Sequence, residues 1–574
     1  MNAGTSNSVT IPAPTPFPQL DAAVSKVKEH CAAFAKLPIS DKVDLLRAMR
    51  EGYHAIAEES VRQACLAKGV AFDSPVAGEE WLAGPMVTLR VLRLTEQALR
   101  EVQQYGAPRI SPKQLRTLPD GRLAVRVFPA DGFDSVLLAK QVGEVYMQPG
   151  VTAQNLSEHQ ASFYKKPHGG RVCLVLGAGN VNAIPPTDVI YKLFVEGTAC
   201  VLKLNPVNAY LGPLMERAFA PLISRGFLAI VYGGADEGGY LVQHAGIDEV
   251  HITGSDKTHD AMVWGPAGPE RDARKAAKNP LLKKDITSEL GNITPVIVVP
   301  GPWDDASLEF QARNTAGMVC NNASFNCNSA KLLVTSRGWS QRPEFLNKVE
   351  RHLGTGGVRT AWYPGAEQRW KQFVDGRKHV KLIGNAGPGQ LSYGFITDVD
   401  RADAADRVFN QEPWCTVLSE TPLEETDVGK FCAEATKFVN QHVWGTLAAM
   451  VLVHPETMRT DGPAVETMLR ELRYGSVVVN SWAGAVFALG STPWGGHPCA
   501  TLEDIQSGRG WVHNTYMLED LEKCVLRAPA KNFPVSPWFP GHRTADQLGR
   551  ALTEFEYAPS WLKVPSVAFA AMRG

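Results

Sequence analysis

The chain has 574 residues and a mass of 62.4 kDa, more than one hydrophobic core organises, so three or four units of ~150 residues are expected. Lys and Arg number 58 against 59 Asp and Glu, a formal charge of -1, with 20% charged and 44% hydrophobic residues. That balance excludes disordered, collagen-like and supercharged classes and removes the overall positive field that drives nucleic-acid binding. The ten cysteines are scattered, with no CxxC pair and no Cys/His cluster at zinc-ligand spacing, so neither a disulfide framework nor a metal site is expected. The opening residues lack an apolar signal region, and no apolar run reaches the ~18 residues a bilayer requires. A reducing cytoplasm is the expected compartment.

Residues 1–20, rich in Pro, Ser and Thr, read as a flexible arm. LDAAVSKVKEHCAAFAKL and DKVDLLRAMREGYHAIAEESVRQACL space apolar residues three and four apart, as amphipathic helices do, with Asp41 placed to cap the second. MVTLRVLRLTEQALREVQQYG is a third helix, ended near Gly106. Residues about 107–165 alternate and turn like strands. From Gly170, GRVCLVLGAG, TACVLKLN, FLAIVYGG and DEVHITGS are strands interleaved with helical segments such as YLGPLMERAFAPLISRG, and the rhythm returns after Ile286 with PVIVVP and AKLLVTS. Two α/β units with parallel sheets follow from that order.

Three stretches invite chemistry. LVLGAGNVNAI sets Gly177 and Gly179 after a strand, either a dinucleotide fingerprint lacking its third glycine or a tight turn. HITGSDK offers Gly254 and Ser255 at a helix start, either a phosphate site or a plain N-cap. NNASFNCNSAKLLV sets Cys327 among small and amide side chains, a core thiol or a reachable nucleophile, and SELGNIT carries Glu289 upstream. RDARKAAKNPLLKK, residues 271–284, is a basic run that reads as a solvated insertion or as a site for an anion. Trp482, Trp494 and Trp511 read as core or as the lining of an apolar tunnel.

Taken in order, these motifs resemble the aldehyde dehydrogenase superfamily from about residue 25 to 525. Asn180 and Lys203 keep the family's interval of 23 positions. Thr253, Gly254 and Ser255 match its Thr-Gly-Ser, and Glu289 to Asn292 its Glu-Leu-Gly-Gly. Asn321 to Cys327 loosely match its nucleophile segment, and Glu412 with Trp414 its Glu-x-Phe. Asn480, PWGG at 493–496 and SGRG at 507–510 match its closing motifs. Ser324 and Phe325 replace the family's Gly-Gln before the nucleophile, Lys331 lies one residue nearer than an expected Arg, and Cys320 is a rival nucleophile.

The resemblance implies an α/β fold with a cofactor-binding domain (21–286, holding the strand-rich segment 107–165), a catalytic domain (287–478), and a return (479–574) with an oligomerisation strand and a C-terminal extension. It implies oxidation of an aldehyde by NAD or NADP through a thioester on Cys327, with Glu289 activating water and Asn180 holding the oxyanion. Lys203, Gly254, Ser255, Glu412 and Trp414 would hold the cofactor, and Pro206, where NAD-specific members tend to carry Glu, leaves NADP open. A homodimer or homotetramer is the expected assembly. A coenzyme A-acylating enzyme and a catalytically impaired scaffold of the same fold are the alternatives. A Cys/His hydrolase is a further one, without a spacing to promote it.

Overall fold

The computed structural model describes residues 9–574; residues 1–8 of the expected arm lie outside the described residues. Helix α1 (Phe17–Ala35) begins inside the stretch read as arm, and Thr15 is already tied down, its N–H donating to the Tyr232 carbonyl at 3.1 Å. α2 (Ile39–Lys68) buries Val43, Leu46, Met49, Tyr53, Ile56 and Val61 along one stripe and stops at left-handed Gly69 (φ 65°). Asp41 is not its cap: Pro38 holds that position, and Asp41 sits in the first turn, where a carboxylate favours the helix dipole. α3 (Val87–Tyr105) ends at left-handed Gly106, as its sequence predicts. The stretch 212–224, read as one helix, divides at Phe219 into Gly212–Ala218 and Ala220–Ser224; Pro221, without an N–H, fits only the first turn of the second piece.

Two sheets organise the chain. β1 (Leu115–Thr117), β2 (Leu123–Phe128) and β3 (Val142–Met147) form an antiparallel meander. β4 (Val172–Leu176), β5 (Ala199–Lys203), β6 (Leu228–Val231), β7 (Glu249–Gly254) and β8 (Asp285–Leu290) form a five-stranded parallel sheet in the order β6-β5-β4-β7-β8. The chain then crosses through Gly291 directly into β9 (Thr294–Val298) of the second sheet. β10 (Ala330–Ser336), β11 (Val380–Ile383), β12 (Tyr393–Ile396), β13 (Val417–Leu423), β14 (Ala448–Leu452), β15 (Ser476–Val479) and β16 (Leu521–Arg527) complete it. Its order is β1-β2-β3-β16-β15-β14-β9-β10-β13-β12-β11. The strands from β16 to β12 run parallel, and nearly all their residues are buried, as helices on both faces require.

Two connections differ from the expected division. The strands of 107–165 extend the eleven-stranded sheet rather than the five-stranded one, and β16, within the return 479–574, is flanked by β15 and β3 of its own chain. Helix Ala545–Tyr557 of the C-terminal extension docks on the N-terminal helices: Glu556 accepts from Arg90 at 2.7 Å and from Arg93 at 2.6 Å, all three residues buried. No helix among the described residues is long and apolar enough to cross a membrane.

Candidate active site

In an open parallel sheet a ligand crevice forms outside the carboxyl ends of the strands, where the winding direction reverses. Here the chain winds from β4 outward to β6, then returns to β7 on the other side of β4. A cavity of about 860 Å³ opens at that point, lined by the turn after β4, the end of β5, the segment after β7, the end of β8 and Cys327 on the loop before β10. Asn180, Lys203, Gly254, Ser255, Glu289, Cys327, Glu412 and Trp414 all line it. Cys320 does not. It ends helix Asp305–Cys320, 6% exposed, where burial pushes its thiol up to about 12.

Cys327 lies on the loop between that helix and β10, half-buried, with the Glu289 carboxyl near its thiol. Burial and the Glu289 charge push the thiol well above its ordinary value. Glu289, next to last in β8 and 4% exposed, is itself pushed up to about 7 by burial, against which its neighbours Cys327 and Trp494 act. The Trp494 indole Nε1 donates to Glu289 Oε1 at 3.2 Å. Asn180 donates one amide N–H to the Phe325 carbonyl at 3.0 Å, which leaves its second N–H.

The loop holding Cys327 has an unusual backbone. Asn322 (φ 52°), Ala323 (φ 51°) and Ser324 (φ 68°) are consecutive left-handed residues, and without glycine each such residue costs roughly 1–2 kcal/mol, less for Asn. Lys331 of β10 clamps the turn from one side, its Nζ donating to the Ser324 carbonyl at 2.8 Å and hydroxyl at 2.7 Å. Phe325 packs in an aromatic cluster with Trp362, Tyr363 and Trp414.

The far end of the cavity suits a long anionic ligand. Lys203 is 7% exposed, its Nζ bonded to the Leu204 carbonyl at 3.3 Å, and burial lowers it to about 8. Ser255 caps helix Asp256–Trp264, its Oγ accepting from the Thr258 N–H at 3.1 Å, so the plain cap reading holds while the residue also lines the cavity. Around Gly254 an added Cβ would meet only Ile252, at 3.4 Å or more, so this turn is open towards the cavity. Glu412, raised by burial, has a buried Oε1 without a protein partner, and its other oxygen occupies the space a Cβ on Gly291 would need. Gly179 is required by packing: a Cβ there would lie 2.7 Å from Asn205 Oδ1. These are the features a bound dinucleotide needs: a buried cation, an open turn at a helix start and an unpartnered acceptor.

Other expectations resolve differently. Trp482 and Trp494 are core residues, and Trp511 is half-buried; none lines the cavity, whereas Trp414 and Trp444 do. In the basic run, Lys275 pairs with Asp260 at 2.6 Å and Lys284 caps the Val242 and His244 carbonyls, and only Leu281 of the run reaches the cavity. Among the described residues no group of His, Cys, Asp and Glu is arranged to hold a metal. Trp494 as a partner of Glu289, and Tyr363 and Arg369 in the cavity wall, escaped the sequence reading, because nothing local links them to the motifs.

Residues 135–360 match the model of the aldehyde dehydrogenase family. The N-succinylglutamate 5-semialdehyde dehydrogenase of Novosphingobium aromaticivorans is 30% identical over 276 residues, 47% of this chain and 53% of that protein. The match thus spans about half the length of the curated relative. An NADP-dependent glyceraldehyde-3-phosphate dehydrogenase from Bacillus halodurans, complexed with NADP, superposes with a TM-score of 0.59 at 18% identity, over 89% of this chain and 91% of that one. An aldehyde dehydrogenase C variant from Pseudomonas syringae, complexed with NAD+ and octanal, superposes with a TM-score of 0.59 at 17% identity, over 90% and 92%. The segment 135–360 is thus similar to the aldehyde dehydrogenase family, and about nine-tenths of the chain shares the fold of these solved structures.

Proposed function

We propose that this protein oxidises an aldehyde to its carboxylic acid with NAD+ or NADP+. The observation that carries the reading is a single cavity in which a thiol, a carboxyl pushed up to about 7 and an amide meet: Cys327, Glu289 and Asn180. Lys203 and Ser255 would hold the adenosine ribose and pyrophosphate, Gly254 would let the phosphates approach, and Glu412, beside Trp414, would accept from the nicotinamide ribose.

At neutral pH Glu289 is about half ionised, which suits a group that takes a proton and returns it. It draws the proton from the Cys327 thiol as Sγ bonds to the carbonyl carbon, so the thiol stays protonated until substrate arrives. The carbonyl electrons move onto oxygen, which accepts from the second N–H of Asn180 and from the Cys327 backbone N–H; one such donor is worth roughly 10²–10³ in rate. When bound, the nicotinamide supplies the acceptor for the hydride that leaves this carbon as the C=O bond reforms. A thioester on Cys327 remains. Glu289, its proton released to solvent, draws another from a water whose oxygen attacks the thioester carbonyl, the C–S bond breaks, and the acid departs. Glu289 thereby supports water over coenzyme A as acyl acceptor.

Pro206 is exposed and brings no carboxylate against a 2′-phosphate, which supports use of NADP beside NAD. A homodimer or homotetramer is part of the proposal, and light scattering on the purified protein tests that assembly. The activity is tested with aliphatic, aromatic and charged aldehydes, each with NAD+ and with NADP+, with and without coenzyme A. Nicotinamide reduction with release of free acid is expected. Acyl-coenzyme A as the product would transfer the assignment to the acylating reaction, and a flat response to every aldehyde would refute it.

A further inference from the structure

A group of paired, buried polar side chains lies behind the Cys327 loop and is supplied by a segment with no part in the chemistry above. Lys68, the last residue of α2, is 5% exposed. Its Nζ donates to Glu80 Oε1 at 2.8 Å and Oε2 at 3.0 Å, to the Asn180 carbonyl at 3.2 Å and to Asn322 Oδ1 at 3.1 Å, and lies 4.7 Å from the centre of the Trp362 ring. Asn322 Nδ2 donates to the Asn180 carbonyl at 3.0 Å and to Asn326 Oδ1 at 3.0 Å. Its backbone N–H donates to Glu79 Oε2 at 3.0 Å, and Arg359 braces Glu79 at 2.9 Å. One ammonium thus touches both the backbone of Asn180 and the first residue of the left-handed turn leading to Cys327.

We propose that Lys68, with Glu80, is a positioning residue for the reaction, a buried clamp that holds the glycine-free Asn322–Ser324 turn and fixes Cys327 against Asn180. Left-handed backbone at Ala323 and Ser324 persists only where its surroundings over-determine it. Lys331 grips Ser324, and Lys68 grips the other end of the turn at Asn322. Lys68 does not itself line the cavity and acts through Asn180, which does, and through Asn322. The inference rests on Cys327 being the nucleophile.

The test has two readouts, one independent of activity. Lys68→Met is made together with Glu80→Gln, so that no buried charge is left unpaired, and hydrogen exchange is followed in the peptide spanning 318–330. Exchange there is expected to rise at least tenfold while cofactor affinity, read by tryptophan fluorescence, stays within twofold. The second readout is the burst of nicotinamide reduction in Asn322→Ala and Asn322→Gly, which both remove the contact with Lys68 and leave Lys68 paired with Glu80. Glycine relieves the left-handed backbone and alanine does not, so the burst in the alanine variant is expected to be about tenfold the slower, the ratio the left-handed penalty predicts. Unchanged exchange in the double variant, or equal bursts in the two Asn322 variants, overturns the clamp. If the unaltered protein gives no burst with any aldehyde, the enzymatic reading fails instead, and the exchange comparison still decides whether Lys68 holds the turn.

Discussion

Replacing Trp494 with Phe removes one indole N–H from Glu289 and keeps an aromatic ring in a site that is 2% exposed. The bond favours the ionised carboxylate, so its loss raises the pKa. Hydrogen bonds to charged groups are worth about 1.5–3 kcal/mol; at 3.2 Å this one belongs at the lower end, and with 1.36 kcal/mol per unit the shift is about one unit upward. Glu289 stands at about 7, so Trp494→Phe places it at roughly 8, and its ionised fraction at pH 7 falls from about a half to roughly a tenth. A general base is lost as the pH drops through its pKa, so deacylation is expected to be about fivefold slower than in the unaltered protein at pH 7 and nearly equal at pH 9.5. The acyl-enzyme formed from a p-nitrophenyl ester, its decay followed by intact mass from pH 5.5 to 9.5, isolates the step without knowledge of the natural aldehyde. Glu289→Gln should abolish the acidic limb. Curves that coincide, or that differ by one constant factor at every pH, would refute the argument, since a packing defect lowers the rate without moving the midpoint.

Cys327→Ala is expected to abolish aldehyde-dependent nicotinamide reduction while cofactor affinity changes less than twofold; Cys320→Ala, which alters a thiol outside the cavity, should retain turnover, and the reverse pattern would identify Cys320 as the nucleophile. Glu556→Ala leaves the Arg90 and Arg93 guanidinium groups without their shared buried partner. Breaking such a network costs ~3–5 kcal/mol. Chemical denaturation should show this as a lower midpoint or a separate early transition of the tail, and an unchanged curve would show that the tail contributes nothing to the stability of the N-terminal helices.

What the sequence reveals and what it hides divide along a physical line. Strands such as VCLVL and AKLLVTS are legible because strands buried on both faces of a parallel sheet must be apolar throughout, and Gly69 and Gly106 mark helix ends because each takes a left-handed turn. Asp41 misleads because a carboxylate suits the first turn as well as the cap. Within the site, Cys327, Glu289 and Asn180 are found by motif, each at a fixed offset from a strand end that periodicity already locates. Trp494 and Lys68 are separated from their partners by 205 and by up to 254 residues, and nothing in the local pattern of an indole or of a helix-terminal lysine names a carboxylate or an asparagine so far along the chain. The departure beside the proposed nucleophile does leave a trace. A turn that needs left-handed backbone ordinarily spends glycine on it, so Ala323 and Ser324 in that place mean the energy must be supplied from elsewhere in the fold, and the absence of glycine is itself the sign that a buried support such as Lys68 and Lys331 stands behind the loop.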